Sequence, residues 1–227
     1  MSIISVVIVL CVVGGYGAIA WSELDAKAIG RVVSDLGFDG VDLDFEPKVP
    51  ACVISGARVS CKSDGEMIGL VRALRQALPS GAMLSVAAWG NGAFGIGAYK
   101  NSFPRDQYTG LLINTLNDVG GLIDQVNVMS YEMPIGYSPK EALDAYRSVY
   151  KGPILLGVEV PPEGSSPHVL SIGELSSLET FIVEEKFAGI LLWSLQSKPQ
   201  GVASASNPTV DMIADSICKG LRLAHCK

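Results

Sequence analysis

The chain has 227 residues, 48% of them apolar and 18% charged, with a formal net charge of −6. This composition describes a globular chain with a sizeable core and excludes a disordered chain, a collagenous repeat and a disulfide miniprotein. With 17 Lys and Arg against 23 Asp and Glu, the clustered positive charge that nucleic acid requires is missing, so the expected partner is a neutral or cationic molecule.

Residues 3–13 are almost wholly apolar and rich in β-branched side chains, which predicts a first strand buried on both faces of a parallel sheet. The run also resembles a signal-peptide core followed by Ala18-Ile19-Ala20 as a cleavage pattern. No Lys or Arg precedes Lys27, which favours the strand. It is too short to span a bilayer and no later run comes close, so neither a transmembrane helix nor a membrane partner is expected. Ser22 is the candidate cap of a first helix with the apolar stripe Ile29, Val32, Val33 and Leu36.

Gly40 to Phe45 forms the second strand. Cys52 and Cys61 flank a stretch that a disulfide could close, as do Cys218 and Cys226; the alternative is five unpaired thiols. Ser63 and Glu66 make a capping-box pattern ahead of Met67, Leu70, Val71, Leu74 and Leu78. After a strand from Met83 to Trp89, residues 90–98 contain a GxGxxG at Gly90, Gly92 and Gly95. No amphipathic helix opens there to present its N-terminus to a pyrophosphate, so a flexible loop at a cleft rim is expected in place of a dinucleotide site.

Strands at 126–131, 153–158 and 189–194 follow, separated by helices that start at Ser138-Pro139 and at Ser171 with Glu174. A last helix starts at Asn207-Pro208. The two histidines, His168 and His225, lie too far apart to suggest a His-based zinc site. Strand and helix alternate without a linker, the signature of a single parallel α/β domain over residues 1–227. Six units are visible, whereas a closed barrel needs eight in about 250 residues. The periodicity leaves open either a doubly wound sheet or a barrel lacking its first two units.

The segment Asp39 to Glu46 reads DGVDLDFE. Strand side chains alternate, so Val41, Leu43 and Phe45 share one face while Asp42, Asp44 and Glu46 share the other. Neighbouring acids on that face stand roughly 7 Å apart. Enclosed together they repel one another and lose water, which raises at least one pKa and supplies a proton donor near neutral pH. Glu46 lies at the C-terminal strand end, where βα folds keep their active sites. Solvent-facing acids fit poorly with a parallel sheet covered on both sides, and a divalent-metal site lacks an evident fourth ligand.

DGVDLDFE fits DGxDxDxE and resembles the signature of glycoside hydrolase family 18, the chitinases and endo-β-N-acetylglucosaminidases. Asn127-Val128-Met129-Ser130-Tyr131 resembles that family's sixth strand, residues 189–194 its eighth, ending in Trp193, and Val12-Val13-Gly14-Gly15 its third. The resemblance implies a TIM barrel-like (β/α)8 fold, incomplete here, with six units visible and the first two missing. It also implies secretion, no cofactor, and chitin or another N-acetylglucosamine-containing oligosaccharide as partner. By the same resemblance, Glu46 is the general acid and base of a retaining reaction in which the substrate's own acetamido oxygen is the nucleophile. Asp44 holds the acetamido N–H, Asp42 tunes its neighbours and Tyr131 donates to the acetamido carbonyl. Trp193 floors the sugar beside Met129, and Trp89, Tyr99 and Tyr137 are candidate stacking surfaces. The chain departs from the pattern at Glu132, where the family has Asp or Asn, and at Val12, where it has Ser. A catalytically silent carbohydrate-binding chain on an incomplete barrel is the alternative.

Overall fold

The computed structural model describes residues 7–14, 21–161, 164, 166, 168–224 and 226. Residues 3–6, Gly15 and the Ala18-Ile19-Ala20 pattern lie outside them. Strand β1 (Val9–Gly14) is followed by a short turn at Trp21–Glu23, α1 (Ala26–Leu36) and β2 (Gly40–Phe45). A small antiparallel hairpin of β3 (Val53–Ser55) and β4 (Arg58–Ser60) then precedes α2 (Asp64–Ala77) and β5 (Met83–Trp89). The chain continues through α3 (Ile113–Val119), β6 (Gln125–Met129), α4 (Pro139–Val149), β7 (Ile154–Glu159), α5 (Ile172–Glu184), β8 (Gly189–Trp193) and α6 (Val210–Gly220). Six strands pair in parallel in the order β1-β2-β5-β6-β7-β8 and curl into a half-barrel with helices between them. Of the two architectures the periodicity left open, the incomplete barrel is the one formed. Among the described residues β1 and β8 are its edges and do not pair with each other.

Alternation along each strand decides where the core sits. Val41, Leu43 and Phe45 are at most 1% exposed, and Leu84, Val86, Val126, Val128 and Leu156 are equally buried. These outward side chains pack beneath the helices with Val33, Met67, Val71, Leu74, Leu143 and Leu175. Each such side chain contributes about 1.5–3 kcal/mol when fully buried. The concave side of the sheet therefore needs no apolar lining to hold the fold together.

Helix caps explain several small departures from expectation. Asp25, not Ser22, caps α1, its carboxylate accepting from Lys27 N at 2.9 Å and Ala28 N at 3.1 Å. Ser63 makes no cap bond; Asp64 instead accepts from Cys61 N at 2.8 Å and from Asn114 Nδ2 at 2.7 Å. Ser138 and Ser171 do cap α4 and α5. Thr209 rather than Asn207 caps α6, because the helix starts at Val210: Thr209 Oγ1 accepts from Met212 N at 3.3 Å, while Asn207 Nδ2 donates to the carbonyl of Gln200. Both candidate disulfides, Cys52–Cys61 and Cys218–Cys226, are formed, and Cys11 is a free thiol.

The glycine-rich segment is packed rather than a flexible rim. Asn91 to Gly95 are buried, and a Cβ on Gly90 would fall 2.6 Å from Tyr137 Oη. Tyr146 Oη donates to the Trp89 carbonyl at 2.6 Å, which ties this segment to α4.

Candidate active site

Strand parity turns Asp42, Asp44 and Glu46 to the concave face, all half-buried, opposite the fully buried Val41, Leu43 and Phe45. Trp21 packs on Phe45 with ring centroids 4.7 Å apart, fixing the strand end from which Glu46 projects. A cavity of about 490 Å³ opens on this face, lined by Cys11, Asp42, Asp44, Ser85, Asn127, Met129, Tyr131 and Trp193. Glu46 and Trp89 are not part of that lining; they stand at the C-terminal rim.

The three acids have different surroundings. Asp42 accepts from Ser85 Oγ, from Asn127 Nδ2 at 3.0 Å and from the Cys11 thiol at 3.9 Å. Those donors favour its charge, but burial outweighs them and its pKa is raised. Asp44 Oδ1 is buried with no hydrogen-bond partner. Burial first, then Glu46 and Asp42, push its pKa up to about 7. Glu46 is raised by burial and then by Glu132. One proton can thus be held among these carboxyls at neutral pH, where isolated acids would have lost it.

Tyr131 follows β6 by two residues, and its ladder continues past the strand through Ser130 N to Gly157 O at 3.2 Å. The half-buried phenol lies near Asp44, Glu46, Glu132 and Glu159, and burial followed by these charges raises its pKa, keeping it a hydrogen-bond donor. Its ring rests over Gly157, where a Cβ would come within 3.1 Å of Tyr131 Cε1 and 2.6 Å of Val128 O. Glu132 takes a left-handed φ of 55°, a conformation that costs a non-glycine residue and persists where surroundings enforce it. Trp193 is 52% exposed at the end of β8, its ring at the cavity mouth.

Trp89 stacks on Tyr108 at a centroid distance of 4.1 Å and an interplanar angle of 12°. Tyr99 and Tyr137 are not part of the cavity lining. Tyr99 lies near Glu141, Asp144 and Arg147 of α4, and the half-buried Tyr137 has its hydroxyl 2.9 Å from Ser130 Oγ. Ser85, Asn127 and Glu159 were not singled out from sequence. The first two share the inward parity of strands already recognised, whereas Glu159 lies one residue beyond the expected end of its strand. Among the described residues no group of three or more His, Cys, Asp or Glu could hold a metal ion.

No protein-family model matches the chain, and no curated protein matches it by sequence. Solved structures do. A chitinase from Rhizomucor miehei aligns at 16% identity and a TM-score of 0.59, over 92% of this chain and 82% of its own. A fungal endo-β-N-acetylglucosaminidase of glycosyl hydrolase family 18 aligns at 16% and 0.58, over 93% and 71%. A family 18 chitinase from Chromobacterium violaceum aligns at 12% and 0.63, over 94% and 64%. The chain therefore has the chitinase-like barrel fold of family 18 glycoside hydrolases, spanning between about two thirds and four fifths of these neighbours' lengths.

Proposed function

We propose that the chain is a retaining, substrate-assisted hydrolase of β-1,4-linked N-acetylglucosamine polymers. The observation that carries this is the row of alternating acids on a concave face, facing a half-buried phenol and an exposed indole across one cavity. Glu46 gives its proton to the glycosidic oxygen as the bond from that oxygen to the anomeric carbon breaks. The acetamido carbonyl oxygen of the same sugar attacks the anomeric carbon, forming an oxazolinium ion. Asp44 accepts the acetamido N–H and balances the positive charge, while Tyr131 donates to the carbonyl oxygen and orients it for attack. Glu46, now a carboxylate, takes a proton from water as that water opens the ring on the same face, giving net retention. Asp42, with Ser85, Asn127 and Cys11, tunes the charge on Asp44. Trp193 and Met129 form the apolar surface under the sugar, and Trp89 extends it at the rim.

Chitin or a related N-acetylglucosamine oligosaccharide is the proposed partner. Two disulfides agree with secretion into an oxidising compartment. Release of reducing ends from a chitin oligomer is the test, with Glu46→Gln expected to lose at least 10²-fold in kcat. Equal cleavage by parent and variant would remove Glu46 from the role. A silent carbohydrate-binding protein is favoured by one feature, the edges β1 and β8, which among the described residues pair with no further strand. Binding without turnover by the parent would put that alternative ahead.

A further inference from the structure

Register sets the inward side chains of the half-barrel in layers. Cys11, Asp42, Ser85 and Gln125 occupy one layer, and Val13, Asp44, Ala87 and Asn127 the next. Parallel partners point to one face, so each layer is a row of neighbours. In its row Asp44 is flanked by Val13 and Ala87, whose side chains form no hydrogen bonds, and its Oδ1 is buried without a partner. Asp42 is flanked by donors. Its Oδ1 accepts from Ser85 Oγ and, across β5 where Ala87 is small, from Asn127 Nδ2 at 3.0 Å, while Cys11 Sγ lies 3.9 Å from Oδ2. Gln125, to which the proposed reaction gives no part, completes the chain: its Nε2 donates to Asn127 Oδ1 at 2.8 Å.

An amide can show a neighbour either its nitrogen or its oxygen; the first favours a carboxylate, the second needs a protonated acid. With its oxygen taken by Gln125, Asn127 shows Asp42 its nitrogen. Reversing both amides would set the Asn127 oxygen against Asp42, which only a protonated Asp42 could meet. We propose that Gln125 and Asn127 are positioning residues: joined amide to amide, they hold Asp42 as the charged member of the acid row and leave the shared proton to Asp44. This assignment stands apart from the proposed hydrolase function; its consequence for catalysis rests on that function. The titratable groups about Asp42 are Asp44 and the Cys11 thiol, and those about Asp44 are Asp42, Glu46, Cys11 and Tyr131. Burial raises the pKa of both acids, but the bonds from Ser85, Asn127 and Cys11 pull Asp42 back. Asp44 has no such bonds and is pushed up to about 7.

Carboxyl-carbon NMR of the full chain follows each acid, with Asp42→Asn and Asp44→Asn identifying the two signals. In the parent, the Asp44 signal is expected to carry the step near pH 7, with Asp42 already ionised there. Asn127→Leu keeps the bulk of the side chain and removes the donor, and Gln125→Met removes the bond that orients that donor. Both are expected to move the Asp42 titration to higher pH and the Asp44 titration to lower pH, because a neutral Asp42 no longer repels the Asp44 charge; the larger movement belongs to Asn127→Leu. On a chitin oligomer, the rise of kcat/KM with pH that follows Asp44 ionisation is expected to move to lower pH with it. Should Asn127→Leu not fold, Gln125→Met at the less buried position decides. The proposal is overturned if Asp42 carries the step near pH 7 in the parent, or if a folded Gln125→Met leaves both titrations where they were. Moved titrations in a protein that cleaves nothing uphold the positioning role and sink the hydrolase function instead.

Discussion

Asp44 gains a proton affinity on folding that its unfolded form lacks, because burial and two neighbouring carboxyls lift its pKa from 3.8 to about 7. The sign follows from linkage: the folded state binds the proton more tightly, so this stabilisation is complete below about pH 4 and is lost as pH rises through about 7. Asp44→Asn removes the penalty and is expected to make the protein more stable than the parent at pH 8 by up to a few kcal/mol, with no gain at pH 4. Urea unfolding at the two pH values measures it, and an equal difference at both would show that Asp44 is not strained by its charge. Gly157→Ala acts in the opposite sense. Its Cβ would press on Val128 O and the Tyr131 ring, at a cost of about 1–3 kcal/mol in stability. The three acids of β2 were legible from sequence because a period of two leaves no ambiguity once the strand is placed. Glu159 was not, because a single acid at a strand end looks like the start of a solvated loop.

At the scale of elements, strands Gly40–Phe45 and Met83–Trp89 were placed to the residue, with apolar side chains at every second position, but the pieces between Glu46 and α2 were not. Strands β3 and β4 have three residues each, too few for alternation to show. They are held by context: the Cys52–Cys61 disulfide closes the hairpin, Asn114 Nδ2 donates to Val59 O at 2.9 Å, and Cys52 N reaches Gln107 O at 3.4 Å. Helix α3 escaped notice for a similar reason, being only seven residues long. Replacing Cys52 and Cys61 together by Ala is expected to lower stability by about 2–3 kcal/mol, the entropy of a loop this short. Leu84→Ala, beneath the helices, should cost about 2–5 kcal/mol. Thermal unfolding of the two variants ranks them. A hairpin variant that stays as stable as the parent would mean that the contacts to α3 and to Gln107 suffice without the covalent link.

For the molecule as a whole, the outer face of the sheet and its helices make the core, while the inner face sets a few carboxyls and amides among apolar side chains and, among the described residues, is open between β1 and β8. That division was legible in part: alternating strands and helices gave the parallel α/β class, and the resemblance at DGVDLDFE chose the barrel over the flat sheet. Curvature was not legible, because it depends on strand twist and register, which no local pattern records. The division makes sugar binding separable from folding and visible by fluorescence. Of the three tryptophans, Trp21 is 5% exposed in the core, Trp89 is stacked on Tyr108, and Trp193 is exposed at the cavity mouth. A chitin oligomer covering the cavity should therefore shift emission to shorter wavelength chiefly through Trp193, and Trp193→Phe should remove most of the shift while leaving the unliganded melting temperature within a degree or two, roughly the effect of a surface change. The same oligomer at a hundredfold excess over Kd should raise the unfolding free energy by about 2.7 kcal/mol. If the sugar stabilises the parent and Trp193→Phe equally and the emission never moves, the glycan is bound elsewhere on the molecule, and the concave face is not its site.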